Sequence, residues 1–118
     1  MKVTRRKNEH ALQVACVRWF RMQHPRLLIF AIPNGGARDA VTGARLKAEG
    51  ATAGVPDLCV PIPRGEYSSL YIEMKDGDTR VSAAQKEIIE TLEKCGNKCV
   101  VCRSFDEFVA AVTEYLIR

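Results

Sequence analysis

Two short apolar runs, Leu58-Cys59-Val60 and Leu70-Tyr71-Ile72, each carry an acidic residue at one end: Asp57 before the first and Glu73 after the second. Both have the length and flanking turn residues of buried β-strands, with Gly54-Val55-Pro56 ahead of one and Asp76-Gly77-Asp78 behind the other. Side chains alternate along a strand, so Glu73 and Lys75 share one face while Met74 enters the opposite layer. If the two strands pair, Asp57 joins Glu73 and Lys75 at one edge of the sheet. Burying carboxylates unpaired is expensive, so a basic group or a cation is expected wherever they converge. Two carboxylates and an ammonium hold a hard divalent cation through oxygen and leave the amine beside an attacking water or an anionic phosphate.

The rest of the chain supplies layers for such a sheet. Asn8 to about Gln23 reads as a helix with Leu12, Cys16 and Trp19 at core spacing, ending where Pro25 restricts His24. Leu27 to Ile32 is an apolar run of strand length, stopped by Pro33-Asn34-Gly35-Gly36. Ala40 to Glu49 is a weaker helix, interrupted by Gly43 and ended by Gly50. Ser82 opens a strong helix with the stripe Ala84, Ile88, Leu92 and Cys95, closed by Gly96. Lys98 to Cys102 is a short strand, and Ser104 with Glu107 forms a capping box for a last helix carrying Phe105, Val109, Val112 and Leu116. The order α-β-α-β-β-α-β-α predicts an α/β fold, a mixed sheet flanked by helices. A length of 118 residues fits one domain, residues 1–118, with a single core.

Composition narrows the function classes. No apolar stretch approaches the roughly 20 residues needed to span a bilayer, and the basic start is followed by an amphipathic segment, so no membrane association and a cytoplasmic location are expected. The net charge of +4 is compatible with a polyanionic partner. Basic residues crowd the first half, including Arg18, Arg21, Arg26, Arg38, Arg45 and Lys47. Five cysteines without a secretory signal read as reduced thiols. Cys95, Cys99 and Cys102 suggest a zinc site, but odd spacing on a strand sends Cys99 and Cys102 to opposite faces, which favours buried small hydrophobes. No G-x-x-x-x-G-K-S/T motif occurs, so no nucleotide cofactor is expected.

Several residues have two readings. Ser82-Ala83-Ala84-Gln85 is an S-x-x-Q capping box, which explains Gln85 without any site, yet that first turn falls just beyond the Lys75 strand. Glu9 and Gln13, one helical turn apart and off the apolar stripe, read as solvated polar residues. Arg38, Arg45 and Lys47 read either as a solvated helix face or as contacts to backbone phosphates. His10 and His24 are isolated.

Glu9 with Gln13, Pro33-Asn34-Gly35-Gly36 with Arg38, Gly54-Val55-Pro56-Asp57, Glu73-Met74-Lys75 and Ser82-Ala83-Ala84-Gln85 follow one another in the order of a known family. From Glu9 through the last helix the chain resembles a stand-alone virus-type replication-repair nuclease (VRR-NUC) domain, a branch of the PD-(D/E)XK superfamily. The resemblance implies a restriction-endonuclease-like core and a Mg²⁺- or Mn²⁺-dependent phosphodiesterase. It implies Asp57, Glu73 and the Met74 carbonyl as metal ligands, and Lys75 as the group that orients or activates water. Glu9 becomes a first-helix acid completing the site, and Gln85 a polar partner of the lysine or the nucleophile. Asn34 and Arg38, with Arg45 and Lys47, would meet the DNA backbone.

Similar small phage and bacterial versions act as homodimers on branched DNA such as four-way junctions, whereas the version in the Fanconi-associated nuclease handles flaps. One small domain offers little surface for gripping a junction, so a homodimer in a bacterial cell, phage-encoded versions included, is the expectation. A flap- or sequence-directed endonuclease, a non-catalytic DNA-binding module of the same fold and a cysteine-zinc interaction domain are the rivals.

Overall fold

The computed structural model describes residues 2–33 and 40–118, with side chains from Asn8 onward. Asn34 and Arg38 therefore lie outside the described residues. The elements are α1 (Lys2–Gln23), β1 (Phe30–Ala31), α2 (Ala40–Ala48), β2 (Leu58–Val60), β3 (Leu70–Met74), α3 (Ala83–Lys94), β4 (Lys98–Cys102) and α4 (Phe105–Leu116). They form one four-stranded sheet in the order β1-β2-β3-β4. The first two pairings are antiparallel and β3 with β4 is parallel, so the sheet is mixed. The parallel pair needs a crossover, which α3 supplies. No helix among the described residues is long and apolar enough to cross a membrane.

The pairing Leu58↔Ile72 sets the two motif strands side by side. It sends Leu58, Val60, Leu70, Ile72 and Met74 into one layer, where they meet Cys16 and Phe20 of α1 and Phe108, Val112 and Tyr115 of α4. Trp19 closes the edge of this core, with Phe105 and Phe108 edge-on at 6.3 and 6.1 Å. Tyr115 donates to the Ile62 carbonyl at 2.6 Å, and Arg64 Nε donates to the Leu116 carbonyl at 3.1 Å, so the β2–β3 loop is tied to the end of α4. On the opposite face α3 packs against β4.

Five expectations shift. The first strand is only Phe30–Ala31, because the Leu27 N–H closes a turn on the His24 carbonyl and the facing strand β2 is three residues long. The helix α2 runs through Gly43 without a break. In α4 the buried residues are Phe108, Val112 and Tyr115, about one position out of phase with the expected stripe, and Phe105 is left 38% exposed against Trp19 at the edge of the core. Glu107 completes only half of its box: Ser104 accepts from the Glu107 N–H, but Glu107 Oε1 accepts from Arg103 N–H. In α3 no residue is fully buried, and Ala84 and Cys95 are exposed, since a helix on a narrow sheet shields only its central residues.

The cysteines are not gathered. Cys102 lies in the α1/α4 core, while the Cys99 thiol faces the Ile89 carbonyl on the other side of the sheet. Burial pushes both thiols up to about 12, as befits inert core groups rather than zinc thiolates.

Candidate active site

The β2–β3 pairing brings the two acidic residues together from adjacent strands. Asp57 lies immediately before β2, behind the buried Pro56. Its carbonyl accepts the Ile32 N–H at 2.8 Å, and its Oδ2 accepts the Met74 N–H at 2.7 Å. Asp57 thereby laces β1 to β3. The Met74 side chain is 1% exposed in the core, so only its main chain faces this cluster.

Glu73 is 3% exposed and Lys75 8%, on the same face as the alternation requires. Lys75 Nζ stands 3.4 Å from Glu73 Oε2, and the same oxygen accepts from Gln85 Nε2 at 2.8 Å. Among the described residues Glu73 Oε1 is buried with no hydrogen-bond partner. Glu9 reaches in from α1 and accepts the Asp76 N–H at 3.3 Å, just past β3.

Electrostatically the cluster is short of positive charge. Burial, then repulsion from Asp57, raises the Glu73 carboxyl from 4.5 to about 7, against the pull of Lys75. Burial also raises Asp57; the Met74 N–H opposes this and Glu9 adds to it. Among the described residues three carboxylates thus face one ammonium, and one buried carboxylate oxygen has no partner. That orphan oxygen and the all-oxygen donor set fit a hard divalent cation held by Asp57 and Glu73. Among the described residues no three His, Cys, Asp or Glu side chains converge as a ready metal-binding group. The candidate ligands are therefore two carboxylates with main-chain oxygen, and Glu9 stands beside them.

Gln85 resolves its two readings by satisfying both. Its Oε1 accepts the Ser82 N–H at 2.8 Å and its own N–H donates to Ser82 Oγ at 3.1 Å, completing the capping box. The amide nitrogen is left over and donates to Glu73. The two ends of one amide serve the helix and the acid. Gln85→Glu keeps the box, since glutamate also caps at this position, but replaces the donor to Glu73 with a carboxylate. Cleavage by this variant is expected to fall about 10- to 100-fold, on the scale of losing one buried hydrogen bond to a charged group, with helix content by circular dichroism unchanged. Wild-type cleavage rates would show that the bond to Glu73 is idle.

Two supports rest on contacts that the sequence did not show. Gly54 holds φ at +91°, and a Cβ there would lie 2.6 Å from the Ala84 carbonyl oxygen. The loop carrying Asp57 therefore presses directly on the first turn of α3, which carries Gln85. Arg103 donates to the Gly77 and Thr79 carbonyls at 2.9 and 2.7 Å, fixing the turn between Lys75 and α3. The glycine ahead of Val-Pro-Asp was a legible turn signal; Arg103 carried none. Arg45 and Lys47 lie exposed in the last turn of α2.

Comparison with known proteins identifies the fold and the family. The VRR-NUC domain model matches residues 6–106, a span that holds Glu9, Asp57, Glu73, Lys75 and Gln85. A solved structure titled VRR_NUC domain protein superposes with a TM-score of 0.75 at 32% identity, covering 92% of this chain and 88% of that one. No curated protein matches. The restriction-endonuclease-like core and the family match together place the chain in the VRR-NUC family of nuclease domains, whose work is nuclease-type processing of DNA.

Proposed function

We propose that this chain is a Mg²⁺- or Mn²⁺-dependent endodeoxyribonuclease that hydrolyses phosphodiester bonds in branched DNA, such as four-way junctions. It acts as a cytoplasmic homodimer in phage or bacterial replication, recombination or repair. The observation that carries the metal dependence is Glu73 Oε1, partnerless among the described residues and buried beside Asp57 in a cluster with surplus negative charge. Asp57, Glu73 and the Met74 carbonyl would hold the cation. When bound, it supplies Lewis-acid polarisation of the scissile phosphate and activation of water.

The chain's own groups do the remaining work. Lys75 has three N–H donors, and Glu73 engages one. The others reach an attacking water or a phosphate oxygen, placing fixed positive charge where negative charge develops. Gln85 and Lys75 together hold Glu73 in one rotamer, so the carboxylate need not reorganise during reaction. Glu9 is anchored at the Asp76 N–H on the rim of this cluster. Arg38, Arg45 and Lys47 neutralise flanking phosphates, which makes binding salt-sensitive, and Asn34 lies beside the DNA backbone as a neutral hydrogen-bonding group. Resemblance to the small dimeric versions supports the junction substrate: two sites related by a dyad suit paired nicks in opposing strands.

The test is a cleavage panel of duplex, flap, fork and four-way junction DNA, run with Mg²⁺, Mn²⁺ or EDTA, on the wild type and Asp57→Asn. Junction cutting is expected with either metal and none in EDTA. Asp57→Asn should lose about 1,000-fold or more, the scale of several kcal/mol of metal-assisted catalysis, while still binding DNA. Undiminished cutting by Asp57→Asn, or cutting in EDTA, would rule the mechanism out. Faster cutting of flaps than of junctions would favour the flap-directed alternative, and inactivity on every substrate the non-catalytic module.

A further inference from the structure

The catalytic cluster leaves unexplained a second feature of α1. A groove of about 600 Å³ runs between this helix and the β1 edge of the sheet at Phe30 and Ala31. From α1 it is lined by Gln13, Val14, Val17, Arg18 and Arg21 among others, and none of the described residues that line it is acidic. We propose that this groove is a track for an unpaired DNA strand leading to or from the scissile phosphate. The inference rests on the nuclease reading above and adds a binding surface to it.

Three observations converge. The first is position. His10 and Gln13, at one end of the groove, directly follow the Glu9 turn that touches the site. Across the groove, β1 leads into Ile32, whose N–H is bonded to the Asp57 carbonyl. Both walls of the groove therefore continue along the chain into residues that touch the catalytic cluster, although Asp57, Glu73, Lys75 and Gln85 are not among its lining residues.

The second is charge. Arg18 and Arg21 sit three residues apart, so they share one helix face. Among the described residues neither has an ion-pair or hydrogen-bond partner. Two uncommitted guanidiniums in a groove whose described lining holds no acid are complementary to successive phosphates. An isologous contact with a second copy would instead set this patch against itself, with like charges facing and no carboxylate among the described lining residues to pair them.

The third is the lining, which follows α1 from His10 to Met22, a rise of about 18 Å. Val14 and Val17 give the groove an apolar wall suited to sugar and base faces, which in a duplex would be covered by stacking and pairing.

The test measures equilibrium binding of the full chain to a fluorescent single-stranded oligonucleotide and to a blunt duplex, in EDTA so that cleavage plays no part. Arg18→Ala with Arg21→Ala is expected to weaken single-strand binding tenfold or more and duplex binding less than twofold. The slope of log affinity against log salt should fall by about 1.4, as two phosphates are no longer neutralised. Val14 is 40% exposed on the helix surface, so a charged residue there is tolerated by the fold. Val14→Glu should weaken single-strand binding at least tenfold, and Val14→Lys should match or exceed the wild type.

Wild-type affinity in every variant, or no single-strand binding by the wild type, overturns the track and leaves the nuclease reading untouched. If both Val14 variants shift the sedimentation coefficient alike, with no dependence on the sign of the charge, the groove is a subunit interface and the proposal falls. If the wild type cuts no substrate yet the arginine pair still governs single-strand binding, the nuclease reading fails and the groove stands as a nucleic-acid surface.

Discussion

Glu73→Gln is expected to abolish DNA cleavage and, in metal-free protein, to lessen a fall in stability between pH 5 and pH 8. Both effects come from one buried carboxylate. The loss of cleavage should be about 1,000-fold or more, because an amide oxygen is a far poorer ligand than a carboxylate for a hard cation. The stability effect follows from proton linkage. Burial and Asp57 raise the Glu73 carboxyl to about 7, from 4.5. Between those values the folded chain holds a proton that the unfolded chain has released. Stability must therefore drop as pH rises through this window and level off above it. With Glu73 at 3% exposure, the drop should be on the order of 3 kcal/mol.

Glutamine does not titrate, so the variant should lose the Glu73 part of the fall and keep only what the raised Asp57 carboxyl contributes. Thermal melts of both proteins from pH 5 to pH 8 in EDTA read this directly. Adding Mg²⁺ to the wild type at pH 8 should restore much of the lost stability, since an ion that binds only the folded state stabilises it by mass action. A wild-type profile that rises with pH would show that Glu73 is not destabilised by its surroundings.

Gly54→Ala carries the second large effect. The added methyl would meet main-chain atoms of Ala84 at 2.6 and 2.7 Å, which cannot swing aside as a side chain could, and φ is +91°. The loop and the start of α3 must separate, carrying Asp57 away from Gln85 and Glu73. A stability loss on the order of 3 kcal/mol is expected from strain and steric overlap together, with at least a tenfold drop in cleavage. Gly50 provides the control. It also has positive φ, +111°, but nothing lies within 4 Å of its would-be Cβ. Gly50→Ala should therefore lose only the conformational part, about 1 kcal/mol, and cut DNA at nearly the wild-type rate. Equal losses at the two glycines, by denaturant titration, would mean that the approach to α3 is unimportant.

The contrast between these two glycines marks where sequence reasoning stops. Alternation along Leu70–Met74 sufficed to put Glu73 and Lys75 on one face and Met74 in the core, because strand geometry is local. Element order was legible for the same reason. The approach of Gly54 to Ala84 spans thirty positions and depends on how loop and helix dock, so both glycines looked alike as turn residues. Glu9 read from spacing alone as a solvated residue, and only the docking of α1 brings it to the Asp76 N–H. The phase of α4 slipped because Trp19 shelters Phe105 only in part at the rim, leaving Phe108 and Tyr115 to fill the centre. The role of Gln85 was framed as a choice, whereas an amide has an acceptor and a donor that can point at different partners.

That shared amide ties chemistry to local unfolding. Helix ends open far more often than whole domains do, at a fraction of the global free energy. Each time the Ser82 end of α3 frays, Glu73 loses one of its two holders while the rest of the molecule stays folded. The working lifetime of the centre is thus governed by the breathing of a single helical turn rather than by the melting of the protein around it.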